Sequence, residues 1–230
     1  MTSPITIPTE TIQKAYKNES RSFCPKCEFL KSRCLCETIK EIDNKIKIII
    51  LQHKSETKHA LNTARILVKS LKNVLLITGE DFSQNADLNS ILESPENRCA
   101  LIFPTDRSKI FSAENKKSLG DITHLILIDG TWRKAKKIYY LSQNLHTLSA
   151  LRLVPITQSQ YKIRKSPNAD GLSTLEATVE SLKILEPELD TQSLNLSFHK
   201  MIDWQIKSMG EDVYRKNYTD KRPEQHEAAP

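Results

Sequence analysis

Four stretches of this 230-residue chain hold side chains able to do chemistry. The first is Asp129-Gly130-Thr131-Trp132, which closes the apolar run His124–Ile128 and opens the basic stretch Arg133-Lys134-Ala135-Lys136-Lys137. An acid at the tip of a strand-to-helix turn can accept a proton, or it can simply fix the turn, with Thr131 as the helix N-cap. The second is Cys24-Pro25-Lys26-Cys27 followed by Cys34-Leu35-Cys36, a C-x2-C-x6-C-x-C pattern that takes four of the five cysteines. Two close pairs on turn-rich backbone can bring four thiolates to the corners of a tetrahedron around zinc, and a site closed by four sulfurs is structural rather than catalytic. The third is Ser173-Thr174-Leu175-Glu176, where a serine with a glutamate three residues on has the form of a capping box. The fourth is a pair of basic clusters, Arg133, Lys134, Lys136 and Lys137, then Lys162, Arg164 and Lys165. Such clusters are solvated faces or contacts for a polyanion. His53, Glu56 and His59 form a weaker metal-like grouping, since a histidine at a helix start is more often a hydrogen-bonding residue than a ligand.

These side chains need a scaffold, and the length suffices for one full core with a small appendage. Lys and Arg total 34 against 28 Asp and Glu, a net charge of +6 that is compatible with nucleic acid but weak evidence for it. Apolar runs stay well short of the roughly 20 residues of a membrane helix, and the amino terminus lacks the layout of a secretory signal. The expectation is therefore a cytoplasmic protein with no membrane partner, in which paired cysteines bind metal rather than form disulfides.

The apolar pattern supplies the positioning elements. Lys45–Gln52, with Ile46, Ile48, Ile49, Ile50 and Leu51, reads as a strand buried on both faces of a parallel sheet. Asn73–Thr78, Arg98–Phe103 and His124–Asp129 follow as the second, third and fourth strands, with Cys99 buried as a small hydrophobe. Residues 87–92 read as a short helix and Ser108–Ser118 as a helix or loop. A helix runs from Trp132 to about Leu141, and Leu148–Val154 suits a further strand. Helices are expected from Ser173 to Leu185, stopped by Pro187, and across Leu194–Asn217, with another at Thr11–Lys17 in the leader. The fold class is α/β, a mostly parallel sheet flanked by helices, with a small amino-terminal zinc-binding module. The expected division is 1–44 leader and four-cysteine module, 45–218 main domain and 219–230 polar tail. No G-x-G-x-x-G follows the first strand and no G-x-x-x-x-G-K-[ST] occurs, which argues against a dinucleotide fold or a P-loop.

The landmarks Cys24/Cys27/Cys34/Cys36, Gln52-His53 with His59 and Asn62-Thr63-Ala64-Arg65, Phe103-Pro104, Asp129-Gly130-Thr131-Trp132 and Leu172-Ser173-Thr174-Leu175-Glu176-Ala177 occur in this order over about residues 24–205. In that order they resemble the DTW-domain family of tRNA-uridine aminocarboxypropyltransferases. The resemblance implies a SPOUT-like fold with a carboxyl-terminal knot. It also implies transfer of the 3-amino-3-carboxypropyl group of S-adenosyl-L-methionine to N3 of a tRNA uridine, releasing 5′-methylthioadenosine. Asp129 is then the expected general base. Phe103, Pro104, Thr131, Trp132, Ser173, Thr174 and Glu176 are expected beside the donor, with Trp132 either stacking on a base or packing the helix start. His59, Arg65, Arg133, Lys134, Lys136, Lys137, Arg164 and Lys165 are expected to face tRNA. For Arg65 a contact to the donor carboxylate or an internal ion pair is the other reading. Zinc is structural, no obligate protein partner is implied, and the chain is a monomer or homodimer. Rival readings are a SPOUT-like RNA methyltransferase, a zinc-containing RNA-binding protein without catalysis, and a transferase acting on ribosomal RNA.

Overall fold

A computed structural model describes residues 22–57, 59, 62–154 and 171–219. The expected leader helix, Lys162, Arg164, Lys165 and nearly all of the tail lie outside them. Six strands form one sheet: β1 Lys47–His53, β2 Val74–Gly79, β3 Cys99–Ile102, β4 Lys109–Phe111, β5 His124–Asp129 and β6 Ser149–Leu153. Their order is β2-β1-β5-β3-β6-β4, every neighbouring pair parallel. The helices are α1 Thr63–Ser70, α2 Ala86–Glu93, α3 Trp132–Leu141, α4 Thr174–Leu185, α5 Gln192–Met209 and the short α6 Glu211–Tyr214.

A strand's side chains alternate between faces, so the apolar runs of β1 and β5 feed two cores. Ile48, Ile50, Leu125 and Leu127 join Leu67 of α1, Leu175 and Leu182 of α4 and Phe198 of α5. Ile49, Leu51 and Ile126 join Leu88 of α2 and Ala135 and Ile138 of α3. The result is a three-layer sandwich with its most apolar strands at the centre. Leu125 has no solvent exposure, so Leu125→Ala is expected to lower stability by about 2–5 kcal/mol, read from urea unfolding.

The segment expected as a helix or loop at Ser108–Ser118 instead contains β4, a three-residue edge strand paired only with β6. Its buried residue is Phe111 alone, and a single apolar anchor gives no periodic signal. His124–Asp129 is consequently the fifth strand rather than the fourth. The last long helix breaks at Gly210, whose φ of +86° lies in the left-handed region, before α6 and a π turn at Arg215–Thr219. The cysteine module shares the first core, because Cys27, Phe29 and Leu35 pack into the same cluster as α1 and α5. Arg33 bonds to Gln205 and Ser208, and Thr38 accepts from Ser197, tying the module to α5.

Candidate active site

All six strands run the same way, so their carboxyl ends share one rim. That rim holds Gln52 and His53 of β1, Phe103 just beyond β3, Asp129 of β5 and the turn into α3. Chain order reverses across β1, β5 and β3, the kind of crevice where open α/β sheets bind ligands. A cavity of about 350 Å³ opens there between the ends of β3, β5 and β6 and the start of α4. Its walls include Phe103, Pro104, Gly130, Trp132, Ser173 and Thr174.

Asp129 sits behind this wall, 8% exposed. The β1–β5 register places Gln52 directly beside it, and Gln52 Nε2 donates to Asp129 Oδ2 at 2.8 Å. The same amide nitrogen donates to Asn62 Oδ1 at 3.2 Å, and Asn62 caps α1 by accepting from Arg65 N at 3.0 Å. From the other side Thr174 Oγ1 donates to Asp129 Oδ1 at 2.6 Å. A carboxylate offers about four lone-pair positions, so these donors orient Asp129 without themselves exhausting its acceptor capacity. Thr174 both bonds to Asp129 and lines the cavity, so the residue stands between the buried acid and the ligand space.

Local sequence explains the geometry. Ser173 and Glu176 form the full capping box, with Glu176 N donating to Ser173 Oγ at 3.2 Å and Ser173 N to Glu176 Oε2 at 2.8 Å. This fixes the first turn of α4 and so holds Thr174 against Asp129. At Gly130 a Cβ would lie 3.2 Å from Lys134 Cβ and 3.6 Å from His53 Cβ, so a side chain there would fit only if Lys134 gave way by a few tenths of an ångström. Phe103 stacks on Tyr139 at 4.8 Å and tilts against Trp132 at 6.3 Å, forming an aromatic wall on the α3 side. Trp132 Nε1 is buried with no hydrogen-bond partner among the described residues. Both expected uses of the tryptophan thus coincide in position, since it packs the helix start and faces the cavity.

The remaining expected site residues divide. Thr131 is the N-cap of α3 through its backbone alone, with an exposed side chain that does not line the cavity. Glu176 is committed to the cap and is likewise outside the lining. Among the described residues Arg65, half-buried, pairs with no acid; its guanidinium donates to Glu28 O and Thr57 O and lies over the Phe29 ring, joining the cysteine module to the loop after β1. His59 is exposed, with its backbone N–H on Glu56 O. On α3, Lys134 pairs with Glu56 at 2.7 Å. Lys137 pairs with Glu80, whose carboxyl it holds below the ordinary range. Arg133 and Lys136 are exposed, with no such pairing among the described residues. His53 bonds to Ser55 and Glu80, so His53, Glu56 and His59 do not converge on a metal. Gln52 and Asn62 are the residues the sequence left without a role. A polar residue ending an apolar strand, in register with an acid ending another, is the signal that marks Gln52.

The four cysteines do converge, with ligand atoms all within 4.8 Å of one another. Cys24 Sγ lies 3.5 Å from Cys36 Sγ, and Cys27 Sγ lies 3.7 Å from Cys34 Sγ. A tetrahedron with Zn–S bonds of about 2.3 Å has S···S edges of about 3.8 Å, so the set fits such an ion. The loop between the first pair and the second turns at Glu28, whose φ of 61° is left-handed. Backbone N–H groups of Cys27 and Lys26 lower the Cys24 thiol to about 6, while the thiols of Cys34 and Cys24 push Cys36 up to about 12. Crowded thiols cannot all ionise without a cation. Cys99 stays apart on β3, its thiol raised by burial.

Among the described residues no helix is long and apolar enough to cross a membrane. The DTW domain matches residues 21–206. A tRNA-uridine aminocarboxypropyltransferase 2 of Drosophila melanogaster is 36% identical over 195 residues, covering 81% of this chain and 76% of that one. The protein of the same name in Mus musculus is 28% identical over 172 residues, covering 73% and 58%. A tRNA-uridine aminocarboxypropyltransferase A of Arabidopsis thaliana is 28% identical over 195 residues, covering 73% and 74%. No solved structure matches the chain significantly. With the motif acid, its donors and the cavity in place, and the domain spanning most of its length, the chain belongs to the DTW-domain family.

Proposed function

We propose that the chain is a tRNA-uridine aminocarboxypropyltransferase that uses S-adenosyl-L-methionine as donor and modifies N3 of a uridine. The observation that carries this reading is the bond between Thr174 on the wall of the rim cavity and Asp129 behind it, within a chain 36% identical to a relative of that name. The cavity's volume and its mixture of apolar walls with a few polar groups suit a nucleoside joined to an amino acid. The unsatisfied Trp132 Nε1 offers a donor to such a ligand.

Uridine N3–H is a weak acid and a poor nucleophile while protonated. In the proposed step the bond from N3 to the aminocarboxypropyl carbon forms as that carbon's bond to sulfur breaks. The N3 proton passes through Thr174 to Asp129, and 5′-methylthioadenosine leaves. The sulfonium supplies the electrophilic activation. The chain supplies a fixed acceptor and an aromatic wall. Thr174→Val removes the hydroxyl through which the proton reaches Asp129 and is expected to lower kcat about as much as loss of the base itself, by about 10²-fold or more, whereas Thr174→Ser keeps most activity. Single-turnover rates on tRNA measure the difference.

On the same reading tRNA lies along α3, with Arg133 and Lys136 on its phosphates and Lys134 and Lys137 sharing their charge with Glu56 and Glu80. Arg164 and Lys165, outside the described residues, are proposed as further phosphate contacts. The four cysteines hold one structural zinc ion. The parallel order and the return of the late chain to the rim support a SPOUT-like fold, and a carboxyl-terminal knot is part of the proposal.

The test uses donor labelled separately in the methyl and in the aminocarboxypropyl group, incubated with unmodified tRNA and analysed by nucleoside mass spectrometry. Label from the aminocarboxypropyl group at uridine, with 5′-methylthioadenosine as co-product, is the expected result. Label arriving from the methyl group would overturn the proposal in favour of a methyltransferase.

A further inference from the structure

The cavity bears one basic side chain among the described residues that line it, Arg152 of β6. Neither the motif nor the basic clusters point to it. The register of β6 with β3 sets Leu151 beside Ile102, and Phe103 N donates to Leu151 O at 3.0 Å. The next position along the two strands therefore sets Arg152 beside Phe103, on the aromatic side of the rim. On its other flank Arg152 pairs in register with Ile110 of the edge strand β4, which contributes no charge there. Arg152 is exposed, and no hydrogen bond or ion pair engages it among the described residues. Every cation of α3 lies outside the cavity lining.

We propose that Arg152 is the anchor for the α-carboxylate of the donor's amino-acid portion, a specificity residue for donors that carry that group. The inference rests on the donor assignment made above. A carboxylate entering a cavity of mixed polar and apolar walls gives up part of its hydration, and a partner charge offsets the cost. A guanidinium presents two parallel N–H groups that match a carboxylate, and its planar fork loses little freedom on binding. The anchor sits next to Phe103 and lines the same cavity as Thr174 and Gly130. Held at its carboxylate end, the aminocarboxypropyl chain would be kept within the cavity rather than trailing into solvent, which transfer of that chain requires and transfer of a methyl group does not. A phosphate of the RNA is the competing ligand for the same fork. It is disfavoured because Arg152 belongs to a concave wall, while the exposed cations suited to a duplex backbone line α3.

Two probes separate the possibilities, S-adenosylmethionine and 5′-methylthioadenosine, which share the adenosine and its sulfur but differ in the amino-acid chain. Binding of each to the full chain is measured by titration calorimetry for wild type, Arg152→Met, which keeps the stem, and Arg152→Lys. Arg152→Met is expected to weaken S-adenosylmethionine by about 10–100-fold while 5′-methylthioadenosine stays within about twofold, the signature of one lost charge-assisted contact. Arg152→Lys is expected to restore part of the loss, since it keeps the charge and loses the fork. Equal weakening of both probes, or no weakening of either, would overturn the inference. A fall in tRNA affinity with the ratio of the two probes intact would also overturn it and assign Arg152 to the RNA. Failure of the wild-type chain to bind either probe would overturn the donor assignment itself.

Discussion

Asp129→Asn is expected to lower single-turnover transfer to tRNA by about 10²–10⁴-fold, the usual worth of a positioned general base. Donor affinity should change by no more than about threefold, because the side chain stands behind the cavity wall rather than in it. Asparagine keeps the shape and can still accept from Thr174. Its amide, however, meets the Gln52 amide, which already donates to both Asp129 and Asn62. Gln52 must turn away and leave a buried group short of a partner, at a stability cost of about 1–3 kcal/mol. A folded but inactive variant is therefore the expected outcome, seen as retained near-native circular dichroism with lost product. The pH dependence separates a base from a mere clamp. With Asp129 as base, wild-type kcat/KM falls on the acid side as the carboxylate protonates, and the residual rate of Asp129→Asn lacks that limb. An unchanged acid limb in the variant would assign the proton to another group.

Removing the metal should produce the largest loss of stability. The purified chain is expected to carry one zinc ion, and stripping it with chelator, or replacing the buried Cys27 with serine, should lower the melting temperature by about 10 °C or more. That figure follows from a loss of several kcal/mol at about 2–4 °C per kcal/mol for a chain of this size. The effect reaches beyond the module because Phe29 and Leu35 share a core with α1 and α5, and Arg65 spans the module and the loop after β1. Acid should release the ion by competing for the thiolates. Cys99→Ser leaves metal content unchanged, since that thiol lies outside the cluster. Elemental analysis alongside calorimetry checks both statements, and a chain whose melting is indifferent to chelator would refute the structural role.

The sheet was legible because β1 and β5 are continuous apolar runs and because Gly79, Pro104 and Asp129 stop β2, β3 and β5 sharply. α4 was legible because its capping box is local, a serine and a glutamate three residues apart. β4 was not, since its pairing with β6 is an edge contact anchored by Phe111 alone. The site divided along the same line. Asp129 and Thr174 were marked by motif, and the cysteines by spacing. Gln52 acquires its role only when the parallel register sets it beside a residue 77 positions away. Arg65 was open to a ligand contact or an internal partner, and its guanidinium lies on two backbone carbonyls and an aromatic ring, contacts that no local pattern marks. Thr131 and Glu176 hold the helices that flank the cavity rather than the cavity itself.

The bonds to Asp129 also set the timing of maturation. Its donors Gln52 and Thr174 lie 77 residues earlier and 45 residues later, and its strand must slot between β1 and β3 after both have been synthesised. Non-local parallel pairing of this kind closes long loops before any contact rewards it, so it forms late and slowly. A chain released with β1 and β2 already paired holds part of its sheet and no oriented acid. Recovered activity on refolding should consequently lag recovered helical signal, and turnover then reports the last step of assembly rather than the average progress of the fold.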